Sequence, residues 1–561
     1  MLMNKLNVLL TALCGTFMLC FLGCQTGAVS EKESGNATQK ETEKQEFVDG
    51  GHMPVIISDV NGKWCGTWAS SQYYDGSKAV PISNRYTLRQ IVRTSIGGEK
   101  IRLSFTNRYG ESELIMNSVH IAKADGQGTG KIFTDTDTIV PFDGKADVTI
   151  PAGEDISSDA FEFSFEPLTE LAITIYYEKI PAKITGHVGA RAKSFYSPGN
   201  CLSQEKLPYF GNFTQWYTIS AIDVLSKTEN KAIVCFGDSI TDGRGTTDDK
   251  NNRWTDGLAT RLQADEATKN IAVLNQGIGG TLVTSSGVNR FNTDVLEQTG
   301  LSYVIILYGI NDIIYGNSNS SNIINAYKNM ITKLHKKNVL VYGGTILPFG
   351  KCSDYTSKRD GVRQEVNEWI RETSSAEGGF DGVIDFDYVM KDPSNETKML
   401  TSYDSGDGLH PGPTGYKAMA DAIDLELFTK TAEFNVEDSN TPFTAENIEQ
   451  FWYGLPKTYS AGKKIIVNVK GINNGSSGFR CWTIPDNPWT ATSNLNTDAT
   501  KLAQGEFDIS LELVTTDTAK SVLLKGVTYG EAIENLTITA LSFTIDGTEY
   551  PVDPGADVIS G

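Results

Sequence analysis

The chain has 561 residues, more than one hydrophobic core usually serves, and we expect two to four domains. Hydrophobic residues make up 39% of it and charged residues 21%, a balance that excludes a largely disordered chain. Acidic side chains number 69 against 49 basic ones, and the net charge of -20 argues against nucleic acid as a partner, because phosphates require a basic surface.

The first residues have the pattern of an export signal. Lys5 precedes an apolar run from Val8 to Leu22, which is short for a membrane span and typical of a signal-peptide core. The run ends in Phe-Leu-Gly-Cys, which resembles the lipobox of bacterial lipoproteins, although Phe21 departs from that pattern. We predict a lipoprotein signal peptide over residues 1–24 with Cys24 lipidated. The alternative is an ordinary secretory signal cleaved nearby.

A tether and a β-rich region follow the leader. Residues 25–54 are rich in Ser, Thr, Glu and Lys and are predicted to be a polar tether. Residues 55–228 contain short apolar stretches punctuated by Gly, Pro and Asn, and the segments 101–106 and 171–177 alternate apolar with polar side chains. Such alternation between turn residues predicts an N-terminal all-β sandwich.

Residues 229–435 have a different pattern, in which continuous apolar strands alternate with helices. This pattern predicts a parallel sheet covered by helices on both faces, with a site where the strands end. The expected strands are 232–236, 271–274, 303–308, 339–342 and 382–386, and the expected helices are 254–264, 322–336 and 362–374.

Alternation returns in residues 436–561, at 464–469, 507–514 and 536–545. We predict a second, smaller β-sandwich there.

The cysteines define no disulfide framework. Three of the eight lie in the leader, and the other five are scattered: Cys65, Cys201, Cys235, Cys352 and Cys481. A pair such as Cys65 with Cys201 is possible but does not follow from the spacing. No Cys/His cluster at zinc spacing, P-loop or dinucleotide fingerprint is present, and we expect no metal or organic cofactor.

Two polar motifs follow predicted strands of the middle region. Ser239 stands in Gly-Asp-Ser-Ile-Thr-Asp-Gly after the first strand, and a Ser on such a tight turn is exposed beside backbone N–H groups. Asn311 stands in Tyr-Gly-Ile-Asn-Asp after the third strand, where its amide can donate to a developing oxyanion. The alternative for each residue, taken alone, is that it caps a helix.

Only one histidine has a suitable neighbour for a catalytic base. The chain contains His52, His120, His187, His335 and His410. His120 and His187 fall in the first β region, and His335 lies on a lysine-rich predicted helix. His410 follows Asp407 by three residues, so the carboxylate can hold one ring nitrogen and leave the other free as a base. The alternative is an ordinary surface turn.

Taken together, these motifs resemble the GDSL or SGNH hydrolases over about residues 231–431. Gly-Asp-Ser at Ser239 matches the family's first block, Asn-Gln-Gly-Ile-Gly-Gly ending at Gly280 its second, Gly-Ile-Asn-Asp at Asn311 its third, and Asp407-Gly-Leu-His410 its fifth. The resemblance implies a three-layer, flavodoxin-like α/β domain. It also implies a nucleophilic Ser239, a basic His410 oriented by Asp407, and an oxyanion hole made by the N–H groups of Ser239 and Gly280 and by the Asn311 side chain.

A weaker resemblance covers the first β region. Gly66-Thr-Trp-Ala-Ser70, Thr87-Leu-Arg-Gln-Ile-Val-Arg93 and Arg102-Leu-Ser-Phe-Thr-Asn107 look like the β domain that precedes the catalytic unit in many secreted bacterial GDSL esterases. It supports the architecture and leaves the substrate open.

The expected substrate is an acetylated plant polysaccharide of the xylan or mannan type. A cell-surface address favours it, and so does the C-terminal β region, which resembles carbohydrate-binding modules and contains Trp452, Trp482 and Trp489. Trp482 and Trp489 are candidates for stacking on sugar rings, although burial in a core is an equal alternative. The runner-up is an esterase for aryl or lipid esters. A third reading is a non-catalytic surface lipoprotein that binds carbohydrate. We expect the lipid anchor to be the only membrane contact.

Overall fold

The computed structural model describes residues 50–551 apart from several gaps. These gaps are 59–61, 77–79, 209, 227–228, 433, 435–444, 447–449, 460–461, 474–476, 485–493, 496–499, 502–503, 515–518, 529–535 and 546. The predicted signal peptide, Cys24 and most of the tether lie outside the described residues. None of the helices in the described part of the chain is both long and apolar enough to cross a membrane.

The first region is built from antiparallel strands. They are β1 Lys63–Ala69, β2 Tyr86–Arg93, β3 Gly98–Thr106, β4 Leu114–Lys123, β5 Thr138–Ile139, β6 Val148–Ile150, β7 Asp155–Ser157, β8 Phe161–Phe165, β9 Glu170–Lys179, β10 Gly186–Val188, β11 Ser194–Pro198, β12 Gly211–Phe213, β13 Gln215–Tyr217 and β14 Ile219–Ser226. One sheet has the order β1-β14-β3-β7 with β8 beside β3, and another has the order β12-β11-β2-β9-β4-β5 with β6 beside β4. β10 pairs with β13. The β-rich character is as predicted, and the sandwich packing stays a prediction.

The predicted parallel sheet of the central region is confirmed. Its strands are β15 Lys231–Gly237, β16 Ile271–Gly277, β17 Leu301–Leu307, β18 Leu340–Gly344 and β19 Gly382–Ile384. They pair in parallel in the spatial order β16-β15-β17-β18-β19, the 2-1-3-4-5 order of a flavodoxin-like sheet. The carboxyl ends of β15, β16 and β17 therefore meet at one edge, where the motifs of the sequence analysis begin.

Helices pack against this sheet in two groups. The helices are α1 Ser239–Asp242, α2 Trp254–Gln263, α3 Val288–Phe291, α4 Ile310–Ile314, α5 Ser320–Lys336, α6 Ser357–Glu372, α7 Phe386–Met390 and α8 Pro413–Ala422, with π-helical turns at Val283–Gly287 and Asn292–Leu296 and short 3₁₀ helices at Ser375–Glu377 and Leu425–Thr429. Another 3₁₀ helix, Thr134–Thr136, lies in the first β region. α8 contacts both α2 and α7, whereas α5 contacts α6. Two separate groups of helices are needed to cover both faces of a parallel sheet.

Several predicted boundaries differ from the observed ones, and in two cases a polar cap is the reason. The helix predicted at 362–374 begins earlier, at Ser357, because the Thr356 hydroxyl accepts a hydrogen bond from the Arg359 N–H at 3.2 Å. The strand predicted at 382–386 ends at Ile384, because the Asp385 carboxylate caps α7.

The first β region covers an edge of the parallel sheet. β1 runs beside the edge strand β16, with a parallel bridge from Ser70 to Asn275. A Cβ on Gly66 would lie 2.9 Å from Leu274 Cδ1, so the two regions touch closely. One hydrophobic core continues from the first region into the central one, from Cys65 to Phe428. An unpaired sheet edge is thereby protected, and the two regions are held in a fixed relation.

The C-terminal region is again formed from antiparallel strands. After a small hairpin of the central region, formed by β20 Lys391–Asp392 and β21 Asn395–Met399, the strands of the C-terminal region are β22 Ala445–Glu446, β23 Gln450–Tyr459, β24 Lys464–Asn473, β25 Ser477–Ile484, β26 Asn494–Leu495, β27 Thr500–Lys501, β28 Gly505–Val514, β29 Ala519–Thr528, β30 Leu536–Ile545 and β31 Thr548–Pro551. They form two sheets, β22-β30-β24-β28 with β31 beside β30, and β23-β29-β25-β26 with β27 beside β25. The domain boundaries and the sandwich packing stay predictions.

The suggested pairing of Cys65 with Cys201 is absent, because both thiols are free in the structure. Cys65 is buried in β1, and burial raises the pKa of its thiol to about 12. Cys235 is fully buried in β15, as expected for an inert core thiol.

Candidate active site

Ser239 lies at the first turn after the parallel strand β15. Asp238 caps this turn by accepting a hydrogen bond from the Ile240 N–H at 3.0 Å, and the turn ends at Gly243, whose φ of 96° is left-handed. As the first helical residue, Ser239 has an N–H with no carbonyl partner inside the helix. Burial, followed by the charge of Asp312, raises the pKa of Asp238 to about 7.

The structure brings Ser239, His410 and Asp407 together in the predicted order. Ser239 Oγ lies 2.8 Å from His410 Nε2, and His410 Nδ1 lies 2.7 Å from Asp407 Oδ2. The second carboxylate oxygen of Asp407 accepts hydrogen bonds from the N–H groups of Leu409 and His410 at 3.0 and 2.8 Å. The imidazole is therefore held so that Nδ1 donates to the carboxylate and Nε2 accepts from the serine hydroxyl.

The pKa shifts of His410 and Asp407 suit a histidine that acts as a base at neutral pH. Burial lowers the pKa of His410 below its ordinary 6.5; the Asp407 carboxylate works in the other direction, and the positive charges of Arg244 and Arg191 add to the lowering. For Asp407, burial tends to raise the pKa, but the hydrogen bonds from His410 and Leu409 outweigh it and leave the pKa below its ordinary value. A neutral imidazole thus faces a charged carboxylate.

The predicted oxyanion donors converge on the same edge. Asn311 is the second residue of α4 and is 3% exposed. One N–H of its side-chain amide donates to the Thr281 carbonyl at 3.1 Å, which leaves the other N–H available. Thr281 follows Gly280, which has a φ of 77° and open space around it. A Cβ on the preceding Gly279 would lie 3.6 Å from the Ser239 Cβ, so this loop passes directly beside the serine. The roles of Ser239, Gly280 and Asn311 as donors stay predictions.

Two charged residues that the sequence analysis missed, the buried Asp312 and the largely buried Arg290, hold this loop and the strand ends. Asp312 accepts hydrogen bonds from the N–H groups of Val283 and Thr284 at 2.8 and 3.0 Å. Arg290 donates to the carbonyls of Gln276 and Gly237, at the ends of β16 and β15, at 2.9 and 2.8 Å. Asp312 was visible in the motif only as the neighbour of Asn311, and Arg290 carried no signal in the sequence.

His187, set aside in the sequence analysis because it lies in the first β region, reaches the nucleophile turn. Its Nε2 lies 2.9 Å from Asp242 Oδ1 and its Nδ1 lies 2.8 Å from the Ser71 carbonyl. The ring therefore lies between the backbone of the first β region and the carboxylate of Asp242. Asp242 is the last residue of α1, and the side chains of this pair are 4% and 6% exposed. The first β region therefore supports one wall of the candidate site.

The other three residues predicted to be functional are Trp482, Trp489 and Cys24. Trp482 lies in strand β25 of the C-terminal region, while Trp489 and Cys24 lie outside the described residues. Within the described part of the chain no group of His, Cys, Asp and Glu is arranged to hold a metal ion, and independence from cofactors stays a prediction.

Comparison with known families agrees with this geometry. Residues 235–418 match the model of the GDSL-like lipase/acylhydrolase family, and this part of the chain is a domain of that family. A match to that family makes the domain an ester hydrolase in general terms. No protein among those with curated functions matches the chain significantly.

Similar solved structures include several G-D-S-L proteins. A lipolytic protein of this family from Desulfitobacterium hafniense DCB-2 is 26% identical, with a TM-score of 0.28, and the match covers 34% of this chain and 97% of that one. One from Veillonella parvula DSM 2008 is 24% identical, with a TM-score of 0.27 and coverage of 36% and 99%. A lipase/acylhydrolase from Enterococcus faecalis is 24% identical, with a TM-score of 0.29 and coverage of 36% and 95%.

The contact between His187 and Asp242 predicts a positioning role for His187. We expect His187→Ala to cost roughly 3 kcal/mol of unfolding free energy, because it leaves a buried carboxylate with a weaker partner. We also expect kcat for an aryl acetate to fall about tenfold with little change in KM, because the serine turn loses its support. His187→Gln, which keeps one N–H donor, should recover part of kcat.

His120→Ala is the matched control, because His120 also forms a buried pair, with Asp137 at 3.0 Å, in the same β region. It should lower stability without changing kcat per folded molecule. Equal kcat values in the two alanine variants would show that His187 is only structural.

The low pKa of His410 predicts the acid limb of the activity profile. The base works when neutral, so kcat/KM for an aryl acetate should fall as pH drops through the pKa of His410, with a midpoint below the ordinary 6.5. Asp238→Asn should leave this midpoint in place, because it removes the other group that titrates near neutral pH and preserves the acceptor for the Ile240 N–H. A midpoint above 6.5 in the native protein, or one that moves with Asp238→Asn, would contradict the assignment to His410.

Proposed function

We propose that the chain is a serine esterase of the bacterial cell surface, or secreted, that removes O-acetyl groups from plant polysaccharide of the xylan or mannan type. The observation that carries the esterase chemistry is the continuous hydrogen-bonded series from Ser239 through His410 to Asp407. It stands within a segment that matches the GDSL-like lipase/acylhydrolase model.

In the first half of the proposed reaction, Ser239 Oγ attacks the ester carbonyl carbon and His410 Nε2 takes the hydroxyl proton. The resulting imidazolium stays paired with the Asp407 carboxylate, which the backbone N–H groups of Leu409 and His410 keep in place. The negative charge on the carbonyl oxygen is met by the N–H groups of Ser239 and Gly280 and by the Asn311 amide. The C–O bond to the alcohol breaks, and His410 returns the proton to the leaving oxygen.

In the second half, the base is neutral again and the acyl group is bonded to Ser239. His410 takes a proton from water, the hydroxide attacks the acyl carbon, and the same donors hold the second oxyanion. The bond to Ser239 breaks, and its oxygen recovers the proton from His410. The products are acetate and the deacetylated sugar, and no cofactor is consumed.

The choice of sugar acetate rests on context. The predicted lipoprotein leader and polar tether would place the enzyme outside the cell, where polysaccharide is found. The C-terminal β region, with Trp482 and Trp489, fits a carbohydrate-binding module of sandwich type. The overall charge of -20 also suits a neutral sugar backbone better than a phosphate-rich polymer. An esterase for aryl or lipid esters is the second candidate, since the family match extends to lipases.

Acetate release from a set of esters tests the proposal. We expect the native protein to release acetate from acetylated xylan or mannan and from p-nitrophenyl acetate, and to cleave p-nitrophenyl palmitate at least about tenfold more slowly. Ser239→Ala should lose nearly all turnover of every ester, because removing the nucleophile leaves only weak residual catalysis.

The outcomes separate the candidates. Cleavage of long-chain esters alone would contradict the sugar substrate and favour the lipid esterase. Near-normal turnover by Ser239→Ala would contradict the catalytic assignment. Sugar binding without turnover of any ester would favour the non-catalytic, carbohydrate-binding reading.

A further inference from the structure

Residues 278–281 form a tight turn after strand β16, and this turn presents the Gly280 N–H. The N–H and the hydroxyl of Thr281 both donate to the Ile278 carbonyl, at 3.4 and 2.7 Å. The shorter bond is the stronger one, so the hydroxyl is the main closure of the turn. Gly280, the third residue, is exposed and has the left-handed φ of 77° that a type II turn requires. The direction of the Gly280 N–H therefore depends on the Thr281 hydroxyl.

Thr281 also orients the side chain of Asn311. The Thr281 carbonyl accepts a hydrogen bond from Asn311 Nδ2 at 3.1 Å. Both N–H groups of an amide lie in one plane, so fixing one of them fixes the direction of the other. Two of the three predicted oxyanion donors, Gly280 and Asn311, thus depend on the position of one threonine.

The Tyr308 hydroxyl, just past the end of β17, holds Thr281 in turn. Its oxygen lies 2.5 Å from Thr281 Oγ1 and accepts from Arg290 Nη2 at 3.0 Å. The Arg290 guanidinium has only donors, and the Thr281 proton is directed to the Ile278 carbonyl, which only accepts. The Tyr308 proton is therefore donated to the Thr281 oxygen. The three hydrogen bonds run in one direction, from Arg290 through Tyr308 and Thr281 to the turn, and such a series strengthens each of its members.

Arg290 is fixed by bonds that do not involve Tyr308. Its Nη2 also donates to the Gly237 carbonyl at 2.8 Å, and its Nη1 donates to the Gln276 carbonyl at 2.9 Å. Nη1 also donates to the hydroxyl of Ser71, in the first β region, at 2.8 Å. These bonds remain when the Tyr308 hydroxyl is removed, so the strand ends stay in place.

The Tyr308 hydroxyl has no other partner among the described residues. The tyrosine is 1% exposed, and its ring packs against Phe236 with 5.2 Å between the ring centroids. A Cβ on Gly287 would lie 3.5 Å from Tyr308 Cζ, so the ring is enclosed on that side too. Phenylalanine would fill the same space. The contribution of the hydroxyl is therefore confined to its bonds with Thr281 and Arg290.

We propose that Tyr308 is a positioning residue for the oxyanion hole, acting through the Thr281 hydroxyl on the Gly280 N–H and the Asn311 amide. Such donors stabilise the transition state only when they are already in place, and a misplacement of about 1 Å lowers the rate roughly a hundredfold. This inference rests on the proposed function. It adds residues outside the Ser239–His410–Asp407 series on which the rate depends.

Cleavage of p-nitrophenyl acetate by Tyr308→Phe tests the proposal. We expect kcat to fall about tenfold with little change in KM, because oxyanion donors bind the transition state more strongly than the ester. The acid midpoint of kcat/KM should stay in place, because the hydroxyl bonds to neither His410 nor Asp407.

Variants of Thr281 test whether Tyr308 acts through it. Thr281→Val should lose at least as much kcat as Tyr308→Phe, whereas Thr281→Ser, which keeps the hydroxyl, should retain most of it. The double variant should be no slower than Thr281→Val alone, because both changes break the same contact. Thr281 is only partly buried, so Thr281→Val tests the proposal even if Tyr308→Phe folds poorly.

Tyr303→Phe is the matched control. Tyr303 is also 1% exposed, lies in β17, and donates its hydroxyl proton to the Phe428 carbonyl at 2.6 Å. Its variant should lower the Tm and leave kcat per folded molecule unchanged. An unchanged kcat in Tyr308→Phe, an equal loss in Tyr303→Phe, or additive losses in the double variant would overturn the positioning role while the native protein still cleaves the ester. Absence of cleavage by the native protein would overturn the proposed function itself.

Discussion

The hydrogen bond of 2.8 Å between Ser239 Oγ and His410 Nε2 joins two turns that are far apart in the sequence, and the central region is arranged to hold it. Parallel strands bring their carboxyl ends to one edge, so the turn after β15 faces the loops after β16 and β17 there. Asp407 then fixes the imidazole from its far side. Without this alignment the hydroxyl would be an ordinary serine, because a base must lie within hydrogen-bond reach to activate it.

The first β region also supports this alignment, although it precedes the hydrolase domain in the chain. Strand β1 covers the edge strand β16, and a shared hydrophobic core fixes the two regions together. Across this contact, the side chains of His187 and Arg191 bind Asp242 at the end of the nucleophile helix. The β region is thus a wall of the candidate site as well as a neighbour of the hydrolase domain, and it offers a route by which substrate preference could differ among proteins with the same catalytic residues.

The sequence predicted what depends on local pattern. Continuous apolar strands alternating with helices were enough for the parallel sheet, and the short motifs identified Ser239, Gly280, Asn311 and the Asp407–His410 pair. The contacts between the first β region and the central region could not be predicted from the sequence. His187 was set aside because it lies in the first β region, and nothing near it in the chain indicates Asp242 as its partner.

Covalent labelling of the native protein with a fluorophosphonate tests the central claim most directly, because the probe reacts with a serine only when its hydroxyl is activated. Digestion and mass spectrometry would then locate the adduct. We expect a single adduct on the peptide that contains Ser239, and we expect its formation to be strongly slowed in His410→Ala. No adduct on the folded native protein, or an adduct on another residue with Ser239 unmodified, would contradict the assignment of Ser239 as the activated nucleophile.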